Sequence, residues 1–424
     1  MQKRAVVFLA LFLIASIIAL QTGRRLFLSL AYLLGVTVAL SLIWAWVNLR
    51  WLAISRMTQS LRAQVGSSVE ELMIVRNKGW LPKLWLEVHD ASELPDHHIS
   101  RVIHGLGPRM SRSWSVRTKA SYRGRYRLGP MQLVSGDPLG LFLFKRDLPQ
   151  TSYITIYPAT HELPGFAPPV GHLLGGESLQ QRTHHITPNF AGVRDYLPGD
   201  ALNRIHWRST ARTGRLIVKE FEEDPTADIW IVLDMDRESF VQSSEPLEDP
   251  LKESKFAWLL EQPAVVLPST TETGVTVAAS LMKHFLEQNR SVGMIAHAQE
   301  REVLQPDRGL RPLTRALEYL AVLQAEGRRR LHEVLALEEA FFTRGTTLVL
   351  VTSSASTKWV EALQVLRRRG VRAVVILIDP ASFDPYARHL DEVRAALAIQ
   401  SVPTYIVRNR DAIPEALSQP AVVS

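Results

Sequence analysis

No cysteine occurs among the 424 residues. Disulfides, thiolate metal sites and a cysteine nucleophile are thereby excluded, whereas the redox compartment stays open, since a thiol-free chain suits either side of a membrane. G-x-x-x-x-G-K-[ST], H-E-x-x-H and G-x-S-x-G are also missing; His332-Glu333 lacks the second histidine. ATPase, zinc-peptidase and serine-hydrolase readings therefore lack their central parts. With neither a nucleophile nor a base in evidence, the reading is of a protein that is not an enzyme. A strong charge imbalance is lacking too. Lys and Arg number 49 against 42 Asp and Glu, for a net charge of +7, and they are spread as a mixed surface instead of the basic stripe that nucleic acid selects. Anionic lipid headgroups are the better counter-charge, and no nucleic-acid partner is expected.

What is plentiful is apolar residues, 46% of the chain. The excess lies in the first fifty residues. Two runs of spanning length, about 5–23 and 26–49, are joined by a tight turn at Arg24-Arg25, which gives a transmembrane helical hairpin over 1–52. Trp44, Trp46 and Trp51 cluster where the second run would leave the hydrocarbon. Lys3, Arg4, Arg50, Arg56 and Arg62 outnumber Arg24 and Arg25 on the opposite side, so the positive-inside rule puts both ends in the cytoplasm of a multi-pass plasma-membrane protein. A cleaved signal peptide is the competing reading of the first run, but small residues are poorly placed for cleavage and the second run begins at once.

From 60 to 157 the pattern alternates with period two, as in Arg112-Ser113-Trp114-Ser115-Val116-Arg117. Turns at Asn77-Lys78-Gly79, Gly129-Pro130 and Gly136-Asp137-Pro138 break it into short strands, the pattern of an immunoglobulin-like β-sandwich. Residues 158–191, rich in Pro and Gly, read as a linker. After 227 short apolar strands (229–233, 292–296, 348–351, 371–378, 404–407) alternate with amphipathic helices (275–288, 313–324, 358–369, 387–398). That alternation predicts a mainly parallel sheet with helices on both faces over 227–410, followed by a tail at 411–424. A polar insertion at 242–273 is either a loop over the ligand edge of the sheet or a disordered excursion.

Between these parts lies a dense segment, 192–226, which reads Arg194, Tyr196, Gly199, Asp200, Arg204, Ile205, Trp207, Ala211 and Arg212 at fixed spacing. It resembles the signature R-x-Y-x-x-G-D-x-x-R-x-I-x-W-x-x-x-A-R of the bacterial family called domain of unknown function 58, and the likeness extends to the two spans and to the phrase from Arg123 to Leu141. The resemblance implies an α/β doubly wound, von Willebrand factor A-like domain after the β-sandwich. It also implies a MoxR-type AAA+ ATPase as partner, in assembly or maturation of protein complexes, and leaves room for other membrane proteins. The segment itself has two readings. Tyr196 and Trp207 dock onto a neighbouring sheet while arginines pair internally, or the segment offers Tyr, Trp and Arg to a partner, as interface anchors do.

Ligands of open α/β sheets sit beyond the carboxyl ends of strands, so Asp234-Met235-Asp236-Arg237-Glu238-Ser239 is the place for chemistry. Cation-binding relatives of this fold carry D-x-S-x-S there. This chain has Asp236 and Glu238 at the serine positions, and Thr352-Ser353-Ser354 where a further aspartate is expected. Asp234, Asp236 and Glu238 are candidate ligands for Mg²⁺ or Ca²⁺ in a degenerate metal-ion-dependent adhesion site (MIDAS), with a solvated acidic turn as the alternative. A cryptic metal-dependent hydrolase on these carboxylates is the alternative to an adaptor. His184-His185 has no third ligand at recognisable spacing, and Arg328–Arg330 and Arg367–Arg369 are basic triplets, the second placed to complement a helix end.

Overall fold

The computed structural model describes residues 3–166, 190–196, 205–221, 228–243 and 268–421. Most of the 158–191 linker and of the 242–273 insertion, together with His184 and His185, lies outside them. The chain divides into two compact units, one of 1–161 with 242–279 and 314–324, the other of 162–241, 280–313 and 325–424.

The first unit opens with α1 (Lys3–Thr22) and α2 (Arg25–Asn48), both long and apolar enough to cross a membrane, with mean hydropathies of 2.5 and 2.3. Gly23, at φ +62°, makes the turn between them. Apart from Asn48 at the foot of α2, their buried positions are small: Ala5, Ala15 and Ala19 on α1, and Ala31, Ser41 and Ala45 on α2. Small side chains let two helices approach closely where water supplies no driving force, and the large Leu, Val and Ile residues point outward.

Ten strands follow: β1 (Leu52–Thr58), β2 (Arg62–Gln64), β3 (Ser68–Asn77), β4 (Lys83–Asp90), β5 (Arg101–Leu106), β6 (Ser111–Lys119), β7 (Gly124–Leu128), β8 (Met131–Gly136), β9 (Leu143–Leu148) and β10 (Ser152–Tyr157). They form sheets β1-β3-β6, β5-β4-β8-β9 and β2-β10-β7, antiparallel except where β2 meets β10. Met73, Val75 and Trp114 of the first sheet share one apolar cluster with Leu86, Val88, Ile103 and Leu133 of the second, so the two pack face to face as a β-sandwich. The strands begin at Leu52, earlier than the expected 60, because β1 pairs along its whole length with β3, from Leu52↔Asn77 to Thr58↔Glu71. Four buried ionisable side chains meet at one point here. Arg56 bridges Glu71 (3.3 Å) and Asp90 (2.5 Å), and His97 Nε2 lies 3.2 Å from Glu71. Buried charges persist only when paired in this way.

In the second unit, β11 (Phe190–Asp195), α3 (Trp207–Thr213) and β12 (Ile217–Phe221) precede β13 (Ile229–Leu233). Then come α4 (Thr270–Glu287, begun in the first unit), β14 (Val292–His297), β15 (Arg301–Asp307), α5 (Leu310–Val322, of which all from Thr314 on belongs to the first unit), α6 (Leu331–Leu337), β16 (Thr347–Thr352), α7 (Lys358–Arg368), β17 (Arg372–Ile378), α8 (Asp391–Ile399), β18 (Thr404–Val407) and α9 (Ile413–Ala416). The six-stranded sheet has the order β15-β14-β13-β16-β17-β18, parallel throughout except for the β15 edge. Every residue of β13 is buried. Trp230 and Val232 join Leu348, Leu350, Val375, Trp359 and Leu363 on one face, while Ile229, Ile231 and Leu233 are equally buried on the other. Two-sided burial is what an unbroken apolar strand demands. Glu162–Phe166, expected within the linker, is pinned instead: Leu163 and Phe166 are buried, and Phe166 meets the rings of Phe285 and Tyr405 at 6.0 and 5.1 Å.

Candidate functional site

The acidic turn sits at the carboxyl end of β13, as the crossover pattern predicts. Asp234 continues the strand, its N–H donating to the Val351 carbonyl at 2.9 Å. Its carboxylate is used twice: Thr352 Oγ1 donates to Oδ2 at 2.6 Å, and the Asp236 N–H donates to Oδ1 at 3.1 Å. Asp236 in turn accepts from the Glu238 N–H at 3.0 Å, capping the short 3₁₀ turn Arg237–Ser239. Glu238 turns away to the surface, where both carboxylate oxygens take Arg330 Nη2 at 3.1 and 2.9 Å. Ser353 Oγ donates to the Ser239 carbonyl at 2.7 Å. The loop before α6 closes the edge, with Gly327 N–H donating to the Met235 carbonyl and Arg237 N–H to the Gly327 carbonyl. A Cβ on Gly327 would stand 2.3 Å from the His297 carbonyl and 2.5 Å from that of Met235, so this close approach requires glycine.

The electrostatics follow from the burial. Asp234, half-buried, has its pKa pushed up to about 6 by desolvation, against the lowering by Thr352 and the Asp236 N–H. Burial also raises Asp236, and the nearby Glu238 charge adds to that. At the end of β14, His297 Nε2 meets Glu338 at 2.8 Å, and Arg301 holds the same carboxylate at 2.6 and 2.8 Å. Arg301 keeps Glu338 below the usual carboxylate range, whereas burial pushes His297 down.

The structure therefore joins Asp234 to Asp236 and Thr352, but commits Glu238 to Arg330. Among the described residues no three His, Cys, Asp or Glu side chains group as metal ligands. The donor set as placed does not fit a three-carboxylate site.

The signature segment is a small β-α-β flap. β11 pairs antiparallel with β12, Arg194 opposite Val218. α3 is held between them by its caps: Ser209 N–H donates to His206 Nδ1 at 3.3 Å, Ile217 N–H to Thr210 Oγ1 at 3.0 Å, and Gly214 ends the helix at φ +72°. Ile205, Ile217 and Val218 are buried, and Tyr196 is half-buried. Trp207 is 66% exposed, and Arg208, Arg212 and Arg215 are exposed with it. Of the two readings of the segment, exposure of Trp207 is the one that a partner surface calls for, and half-burial of Tyr196 suits a docked side chain. Gly199, Asp200 and Arg204 lie outside the described residues. Sequence reasoning missed Arg330 and Gly327, which reach the acidic turn from about 90 residues downstream.

Comparison with known proteins bears on the same segment. Residues 192–248 match the family model described as "Protein of unknown function DUF58". The Bacillus subtilis (strain 168) protein YeaD, described as uncharacterized, is 23% identical over 287 residues, 66% of this chain and 64% of YeaD, so the match spans a little under two thirds of that relative. Among solved structures, a CARDB domain from Pyrococcus furiosus is 13% identical, covering 25% of this chain and 91% of its own at a TM-score of 0.20. The pilus adhesin SpaC of Lactobacillus rhamnosus GG is 12% identical, covering 45% and 29%, at a TM-score of 0.30.

Proposed function

Proceeding from the chain's membership in the DUF58 family, we propose that it is a membrane-anchored adaptor whose α3 surface engages a partner protein, by resemblance a MoxR-type AAA+ ATPase. The observation that carries this reading is the exposed Trp207 with Arg208 and Arg212 on α3, a helix held at its ends by caps and with no buried residue of its own. Aromatic and arginine side chains are those that most often anchor interfaces. The sheet order, with its antiparallel third strand, supports a von Willebrand factor A-like domain behind that surface. α1 and α2 supply the anchor, and the charges flanking them favour a cytoplasmic location for both units.

The test is site-specific photo-crosslinking from position 207 in native membranes, with a second probe at Lys119 on the β-sandwich. An ATPase-sized adduct from 207 alone is the expected result. Adducts from neither position, or from both alike, overturn the reading. Reporter fusions at the C-terminus that are active only outside the cytoplasm are expected to be silent.

A further inference from the structure

The foot of α2 is built into the β-sandwich. Asn48 Nδ2 donates to Ser135 Oγ at 2.6 Å and to the Gly136 carbonyl at 3.2 Å, and Lys83, buried, donates Nζ to the Val47 carbonyl at 2.8 Å. A cation on the last carbonyls of a helix suits its dipole. Where α2 leaves the hydrocarbon, the rim of the sandwich is therefore at the bilayer surface. There a cleft of about 430 Å³ opens between the helix end and β9, lined by Trp46, Arg50, Trp51, Phe144, Lys145 and Arg146. Its lining holds three cations and no carboxylate. The Arg50 guanidinium lies 3.8 Å over the Trp46 ring. Trp46 and Trp51 are about half exposed, and the neighbouring hairpin, tied on by Lys78 N–H to the Trp51 carbonyl at 2.7 Å, shows Trp80 to the outside at 71%.

We propose that this cleft binds the phosphodiester headgroup of an anionic phospholipid, with Arg50, Lys145 and Arg146 on the phosphate and Trp46, Trp51 and Trp80 in the interfacial layer. The inference rests on α2 being in the bilayer, which is part of the function proposed above. Arginine forks match phosphate oxygens bidentately, indole rings settle at the headgroup level, and continuity with a spanning helix puts a bilayer at this surface. Three juxtamembrane cations imply a preference for anionic over zwitterionic lipid on the order of a hundredfold, and loss of one implies about a fivefold drop.

The experiment uses the full chain in detergent, offered phosphatidylglycerol or phosphatidylcholine, with retained lipid read by native mass spectrometry. Wild type is expected to keep phosphatidylglycerol. Lys145→Gln and Arg50→Gln should each weaken that preference, while Lys119→Gln, paired with Ser68 at the far end of β3 from Trp51, leaves it intact. Equal retention of the two lipids overturns the site, as does a preference that survives both variants or is abolished equally by inorganic phosphate. Retention of the chain in membranes after an alkaline carbonate wash, read separately, tests the anchor. A chain that stays in the pellet but shows no lipid preference sinks the site alone, whereas a chain washed off sinks the anchor with it.

Discussion

The acidic turn and α3 lie in the same unit and are both rich in charge, yet they solve opposite problems. At the turn each carboxylate is answered from within. Asp234 is answered by Thr352, Asp236 by the Glu238 N–H and Glu238 by Arg330. On α3 the caps and the buried Ile205, Ile217 and Val218 hold the backbone, and Trp207 and Arg212 are left outside. A cluster of carboxylates is thus weak evidence for chemistry when its hydrogen bonds are spent on the fold. An exposed aromatic beside arginines is better evidence for a partner, because a side chain 66% exposed adds little to the packing of its own fold.

The comparison breaks most severely at Gly327. Gly327→Ala puts a methyl group against two backbone carbonyls, and thermal unfolding should show a loss of roughly 3 kcal/mol, the upper part of the usual over-packing range. Next is Asp234→Asn. A carboxyl whose native pKa lies near 6 binds its proton more tightly folded than unfolded, so stability falls as pH rises from about 4 to about 6 and then levels off. Linkage alone makes the ionised group cost about 3 kcal/mol at neutral pH. Because Asn makes weaker hydrogen bonds, the variant should exceed wild type by about 2 kcal/mol at pH 7 and lose that advantage near pH 4. Denaturant melts across that range check it. Millimolar Mg²⁺ or Ca²⁺ sharpens the same experiment, since a bound cation would stabilise wild type and not the variant. The smallest effect belongs to Glu238→Gln, which removes an exposed ion pair and should change stability by less than about 1 kcal/mol.

Legibility in the sequence followed hydrophobic pattern. The two apolar helices and β13, with its unbroken Ile-Trp-Ile-Val-Leu, announce themselves, and β18 falls at 404–407 as periodicity predicts. β15 was invisible because it is a half-exposed edge carrying Gln305 and Pro306, and α6 because its seven residues follow three arginines and give too short a period. β1 was hidden by its join to α2, where interfacial tryptophans and strand residues look alike. At the site, Asp-Met-Asp-Arg-Glu-Ser reads as a solvated acidic run. Only the parallel neighbour β16 brings Thr352 to Asp234, and only the loop at Gly327 encloses it. The exposure of Trp207 was likewise not legible, since a tryptophan in a dense motif fits a buried staple as well as an interface until the helix face is known.

The claim that α3 is a docking surface is tested most directly by measuring binding and stability on the same two variants, Trp207→Ala and Arg212→Ala, against a purified MoxR-type AAA+ ATPase from the host cell. Exposure of both side chains predicts that each variant loses about 2 kcal/mol of affinity, the scale of a hot-spot truncation, while unfolding free energy shifts by no more than about 0.5 kcal/mol. Wild-type affinity in both variants, or an early melt in either, would contradict it.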